Sequence, residues 1–170
     1  TEDTSVGTTK NWRGITSSAD GTKLAANAGG GNIWTSSNSG VTWTEVTVGD
    51  ATKDWSSITS SADGTKLVVI EKGVDFKGTT TTTGKIWTSS NSGATWTIAS
   101  PVGATKNWVG ITSSADGTKL AAIESFSRWY NISIPKRRRL LNDPEWVKYK
   151  ESTGWNGNIW TSSDSGATWT

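Results

Sequence analysis

Any chemistry in this chain has to be done without histidine, cysteine or methionine, because none of the three occurs. Serine–histidine and cysteine–histidine nucleophilic pairs are excluded. So are disulfides, and zinc and haem centres lose their usual ligands. What remains is carboxylates, guanidinium and ammonium groups, and aromatic rings. Asn38, Asn91 and Asp164 stand in Ser/Gly-rich strings that look like calcium loops. Too few carboxylates converge there to fill a calcium shell, so no metal and no cofactor is expected.

The densest supply of binding chemistry lies in 124–157. It holds Trp129, Tyr130, Trp146, Tyr149 and Trp155 among Arg128, Lys136, Arg137, Arg138, Arg139, Lys148 and Lys150, set against Glu124, Asp143, Glu145 and Glu151. Aromatic rings together with arginine are the composition of interface hot spots. Interleaved cations and rings also suit single-stranded nucleic acid, although a protein or glycan partner is the stronger expectation. The run Pro135–Leu141 resembles a nuclear localisation signal and, more faintly, a cyclin-docking motif, and short basic runs arise often by chance. Asn131-Ile132-Ser133 is a glycosylation sequon. The bland alternative is a small satellite core of Trp129, Leu140, Leu141 and Trp146 that only holds the stretch down.

A second stretch, 71–84, offers Phe76 in a Gly73–Gly78 turn, followed by the β-branched run Thr79–Thr83. It reads as a hairpin, either presenting Phe76 or merely solvated. In the longer stretch, Ser127–Ile134 predicts a strand stopped by Pro135. Asn142-Asp143-Pro144-Glu145 predicts a helix start, with two turns over 145–151 that place Trp146 and Tyr149 on one face. The candidate binding residues are therefore Phe76, Trp129, Tyr130, Arg137, Arg138, Arg139, Trp146 and Tyr149.

The elements that must carry these groups are repeats. Ile-Thr-Ser-Ser-Ala-Asp-Gly-Thr-Lys-Leu occurs at Ile15–Leu24, Ile58–Leu67 and Ile111–Leu120. Each copy is followed by Ile-Trp-Thr-Ser-Ser-(Asn/Asp)-Ser-Gly-x-Thr-Trp-Thr, at Ile33–Thr44, Ile86–Thr97 and Ile159–Thr170. One unit reads as four short strands. The first runs from Trp12 to Ser17 and the second from Lys23 to Asn27, with an Asp-Gly turn between them. The Gly29–Gly31 run turns the chain into a third strand at Asn32–Ser36, and Asn38-Ser39-Gly40 leads to the fourth, from Thr42 to about Val48. Four strands in such a unit make one blade of a propeller. With 12 Trp against two Phe and two Tyr, the composition is all-β. Nine of those Trp fall at repeat positions and are expected to be packing within and between blades.

Ser36-x-Asn38-x-Gly40-x-Thr42-Trp43, with its copies Ser89–Trp96 and Ser162–Trp169, resembles the Asp-box or BNR repeat of sialidase-like propellers. The resemblance covers everything except the two inserted stretches. It implies that Asn38, Asn91 and Asp164 cap structural turns, that Gly40, Gly93 and Gly166 take positive φ, and that Trp43, Trp96 and Trp169 pack into the blade. The sialidase chemistry of that family is not implied here. It needs three converging arginines, a Tyr with a Glu partner and an acid. This chain has Arg13, Arg128 and the contiguous Arg137–Arg139, which cannot easily meet on one carboxylate. A fixed acid pair for glycoside hydrolysis is also missing. The expectation is a binder, not an enzyme.

Blades are expected at about 11–53, 54–106 and 107–170, with 1–10 completing a fourth strand and inserts at 71–84 and 124–157. Both inserts enter the connection between second and third strands, on the face where propellers commonly bind. Propellers close with about four to eight blades, so the expectation is half of a six-bladed ring closed head to tail by a second copy, with a threefold nine-bladed ring and a fragment of a longer chain as alternatives. Thr1–Thr4 aligns with Thr44–Thr47, the continuation of a fourth strand. A purely structural self-assembling protein and a degenerate sialidase-like glycosidase are the alternatives. The undiverged repeats fit a recent amplification or an engineered, consensus-like scaffold. No apolar run is long enough to span a bilayer, no signal peptide is visible, and the location in the cell is not legible.

Overall fold

A computed structural model describes residues 6, 7, 9–49, 53–73, 84–99, 106–135 and 146–170, with backbone alone at 126–135 and 146–156. Among the described residues every regular element is a strand. The first sheet is β1 (Trp12–Ser17), β2 (Leu24–Gly31), β3 (Ile33–Ser36) and β4 (Thr44–Val46). The second is β5 (Lys53–Ser60), β6 (Leu67–Glu71), β7 (Ile86–Ser89) and β8 (Thr97–Ala99). The third is β9 (Trp108–Ser113), β10 (Leu120–Glu124) and β13 (Ile159–Ser162), with β11 (Phe126–Pro135) and β12 (Trp146–Asn156) inserted between the last two. Thr170 exchanges both backbone bonds with Thr161 and so begins a fourth strand.

Each sheet is an antiparallel meander in one register. Leu24 faces Ser36, Leu67 faces Ser89 and Leu120 faces Ser162. The first and second sheets are joined by a short ladder, Gly29 to Asp54 and Gly31 to Lys53. The strand β2 runs through the glycines to Gly31, so the expected turn at Gly29–Gly31 moves to Asn32, where Ala28 N–H bonds to Asn32 C=O. Gly30, at φ +70°, makes the irregularity while pairing continues.

Side chains alternate across each strand, and in the second sheet both faces are buried. Leu67, Val69, Trp55, Ile58 and Trp87 pack against Ala25 and Ile33 of the first sheet and Val48 just beyond it. From the opposite face, Val68, Ile70, Ile86 and Ala99 pack against Trp108, Leu120, Ala122 and Trp169 of the third. Burying a side chain of this size contributes about 1.5–3 kcal/mol. The tryptophans repeat one geometry: Trp12–Trp34, Trp55–Trp87 and Trp108–Trp160 are edge-to-face pairs at 6.4, 6.4 and 6.5 Å.

Two tight turns close one end of every sheet. In the first, Ser18 Oγ and the N–H and Oγ of Thr22 donate to Asp20, and Lys23 N–H donates to Ser18 Oγ. In the second, Asn38 Oδ1 accepts from Ser36 Oγ and Thr42 N–H, both at 2.9 Å, and Gly40 sits at φ +85°. The two are tied together by Ser39 N–H to Thr22 C=O, and the other sheets repeat the bond at Ser92–Thr65 and Ser165–Thr118. Neighbouring sheets are stitched at this same end. Ala19 N–H donates to Ala62 C=O and Ala62 N–H to Ala115 C=O, both at 2.7 Å. Lys23 and Lys66 reach across to the Asp63 and Asp116 carbonyls.

Candidate functional site

The connections between second and third strands all leave from the end opposite the stitched turns. In the first sheet that connection is the single residue Asn32. In the second and third it is 72–85 and 125–158. The roots of the two long connections are built from strand termini and share one chemistry.

At the third sheet, β10 ends in Glu124, which is buried. Its carboxylate accepts from Asn158 Nδ2 at 2.8 Å and Trp160 Nε1 at 3.0 Å, and pairs with Lys106 Nζ at 3.1 Å. That ammonium also lies 4.0 Å over the Trp160 ring. Burial works to raise the Glu124 carboxyl, but the bonds from Asn158, Trp160 and Lys106 and the nearby ammonium outweigh it, leaving the group below the ordinary glutamate value. At the second sheet Glu71 is likewise buried and accepts from Trp87 Nε1 at 3.2 Å, with Lys53 lying 5.3 Å from the Trp87 ring centre. The first sheet has Ala28 at this position. Trp34 Nε1 is consequently buried without a hydrogen-bond partner, although Lys10 still covers its ring at 4.7 Å.

Backbone packs tightly at these roots. A Cβ on Gly84 would strike the Lys106 carbonyl and one on Gly157 the Glu124 carbonyl. Above the third root, β11 and β12 form a hairpin paired from Phe126–Asn156 to Pro135–Trp146, with an irregularity between Ser127 and Trp129. Trp129 pairs with Ser152, Tyr130 with Glu151 and Tyr149 with Ile132, so four candidate residues are carried by one hairpin. The helix expected over 145–151 is overturned: Trp146–Asn156 is a strand, so the helical face expected to carry Trp146 and Tyr149 does not form. The strand expected at Ser127–Ile134 is present as β11. Phe76, Arg137, Arg138 and Arg139 lie outside the described residues, as do Thr79–Thr83.

At the stitched end the residues are polar and self-satisfied. Asn38 and Asn91 bond to Thr42 and Thr95, and Asp164 accepts from Thr168 and Ser162. Those bonds, the one from Thr168 Oγ1 foremost, lower the Asp164 carboxyl from 3.8 to about 2. Bonds from Ser18 and then Thr22 lower Asp20 to about 2 as well, and Asp63 and Asp116 are held below the carboxylate range by the equivalent contacts. Trp96 and Trp169 donate from Nε1 to the Gly93 and Gly166 carbonyls, each at 3.0 Å.

Sequence reading passed over Glu71 and Glu124 as binding-end residues because an acid at a strand terminus ordinarily points to water. The available signal was their shared position, directly after Leu-x-x-Ile and at the first residue of each insert.

No family model matches the chain, and no curated protein matches it. Solved structures do. The chain is similar to the GH74 enzyme of Niastella koreensis at 18% identity and TM-score 0.52, covering 94% of this chain and 17% of that one. It is similar to YCF48 from Cyanidioschyzon merolae at 13% identity and TM-score 0.57, covering 96% and 40%. It is similar to a chain of the nidogen/laminin complex at 13% identity and TM-score 0.57, covering 95% and 47%. The chain thus spans less than half the length of these structures. All are β-propeller proteins. At such identities the likeness defines the fold: the chain is an all-β protein of the propeller class, its four-stranded sheets being blades.

Proposed function

We propose that the chain is a non-catalytic propeller scaffold that presents its long second-to-third-strand connections to a protein partner with an acidic surface. The observation that carries the reading is an asymmetry. One end of every blade is the same pair of tight turns, while all extra sequence enters at the other end, on roots braced by buried Glu71 and Glu124. A scaffold that is constant except at one set of connections is how folds usually host recognition. The 124–157 stretch is rich in cations and rings, which favours an acidic protein surface over a neutral glycan. The turns Ser36–Trp43, Ser89–Trp96 and Ser162–Trp169 are read as Asp-box turns with a structural role. The same reading holds that the scaffold completes its ring by association with a further copy.

Replacing 125–158 by the single Asn that serves the first blade tests the display role. Binding to an array of acidic peptides and to a glycan array is compared for the two chains. Loss of acidic-peptide binding, with binding of the intact chain weakening as salt rises, is expected. Binding that survives the deletion, or that is confined to glycans, would overturn the reading. Incubation with a sialoside substrate is expected to release no sugar, and turnover would restore the glycosidase alternative.

A further inference from the structure

The cluster that braces the third blade's long connection is repeated on the first blade in everything but its acid. On the third blade the Glu124 carboxylate gathers three donors, Trp160 Nε1, Asn158 Nδ2 and Lys106 Nζ. On the second, Glu71 accepts from Trp87 Nε1, and Lys53 and Lys85 lie over the Trp87 ring. The first blade carries the same three donor residues as the third, Trp34, Asn32 and Lys10, but Ala28 stands where the other two blades have glutamate.

Backbone bonds hold these positions alike in every blade. Ala28 N–H donates to Asn32 C=O, Glu71 N–H to Lys85 C=O and Glu124 N–H to Asn158 C=O, at 3.2, 2.8 and 3.1 Å. The residue after each, Gly29, Lys72 or Ser125, donates to the carbonyl of Asn11, Asp54 or Asn107 at 2.8, 2.8 and 2.9 Å. That second bond fixes the backbone next to Lys10, Lys53 and Lys106. Each indole also meets its Trp neighbour at 79°. The donors of the first blade are thus placed as on the third, and only the acceptor differs. Trp34 is 7% exposed, and its Nε1 has no hydrogen-bond partner among the described residues. The Lys10 ammonium lies 4.7 Å from the centre of the Trp34 ring. Asn32 donates one amide N–H to Glu45 at 3.0 Å and has a second to offer.

We propose that this place on the first blade is a carboxylate site, filled from outside the chain by a small carboxylic acid or by an acidic side chain of a partner. A carboxylate there accepts from Trp34 Nε1 and Asn32 Nδ2 and pairs with Lys10, as Glu124 does with its own three donors. It also relieves the buried indole N–H, which is costly to leave unpaired. Acetate is atom for atom what a glutamate side chain has beyond its Cβ, so it is the probe that matches what Ala28 lacks. Lys10 and Asn32 are partly exposed, which leaves two of the donors within reach of solvent. The inference rests on the equivalence of the blades and is independent of what the long connections bind.

The test follows the Trp34 indole N–H signal by nuclear magnetic resonance in the isotope-labelled 170-residue chain, while sodium acetate replaces sodium chloride at constant ionic strength and neutral pH. The signal is expected to move saturably, with half-saturation on the order of 10 mM. Those of Trp87 and Trp160, already bonded to glutamates, are expected to stay in place. Ala28→Glu is expected to abolish the response by supplying the acid within the chain, and Lys10→Met to weaken acetate about tenfold. Lys10 is partly exposed, so its variant decides the matter even if the buried Ala28→Glu fails to fold. A Trp34 signal that does not move with acetate, or that moves undiminished in either folded variant, would overturn the proposal. An acidic peptide that moves the same signal identifies a partner side chain as the source, and a response confined to acetate identifies a free acid. The chain lacking 125–158 is expected to respond to acetate unchanged while acidic-peptide binding through the hairpin is lost, which separates this site from the display reading.

Discussion

At the residue scale the blades differ in consequence at one position, held by Ala28, Glu71 and Glu124. The carboxylate gives the indole N–H of the following strand an acceptor, and at Glu124 it also holds an ammonium. Where it is missing, the N–H of Trp34 stays buried and unpaired, a situation that costs about 1–3 kcal/mol. Ala28→Glu is therefore expected to stabilise the chain by about 1 kcal/mol, read as a higher denaturant midpoint with unchanged slope. Glu124→Ala strands Lys106 and the Trp160 N–H together and is expected to cost about 2–4 kcal/mol by the same measurement. Because the folded Glu124 carboxyl lies below its unfolded value, its contribution is complete above the ordinary glutamate range, near about 4.3. It is lost as pH falls through the lower folded value. Acid unfolding of the Glu124→Gln variant should accordingly show less dependence on pH in that window than the unaltered chain. The shared position of Glu71 and Glu124 was legible in the sequence, but their burial was not, because a glutamate between a strand and a polar insert has the composition of a solvated loop.

At the scale of the element, the turns were legible because their chemistry is local. Asp20-Gly21 and Asn38-Ser39-Gly40 need only their own neighbours to close, and the positive φ of Ser39 and Gly40 follows from them. Asp164 offers a direct comparison with Asn38 in the same turn. Asn38 donates to its threonine hydroxyl, whereas Asp164 accepts from Thr168. Asp164→Asn should keep the turn and remove one source of acid sensitivity. The contribution of Asp164 is complete above pH 3.8 and disappears as pH falls to about 2, so the variant's thermal midpoint should fall less between pH 4 and about 2. The Trp146–Asn156 strand was not legible, because Asn142-Asp143-Pro144-Glu145 carries every local signal for starting a helix. The partner that fixes the strand, β11, lies across the connection, and strand preference is set by such neighbours more than by local composition. At Gly84 the limit is space, since Lys106 backbone occupies the place of a Cβ. Gly84→Ala is expected to cost about 1–3 kcal/mol in chemical denaturation.

For the whole molecule, the repeats carried the architecture. Three copies of one pattern in register predict three equivalent sheets, and the likeness to solved propellers agrees with the fold class. What periodicity cannot show is how unequal the environments of equivalent residues become. Trp12 and Trp55 are the same residue in the same motif, yet only one has a sheet packed over it. The backbone bonds from Ala19 to Ala62 and from Ala62 to Ala115 involve no side-chain atoms. They act as a rivet at one pole of a fan, setting the angle between leaves whatever the side chains nearby become. At the other pole the leaves are free to grow, and thirty or more residues hang there without disturbing the rivet. New sequence spliced into 72–85 or 125–158 is therefore expected to leave the backbone bonds from Ala19 to Ala62 and from Ala62 to Ala115 in place.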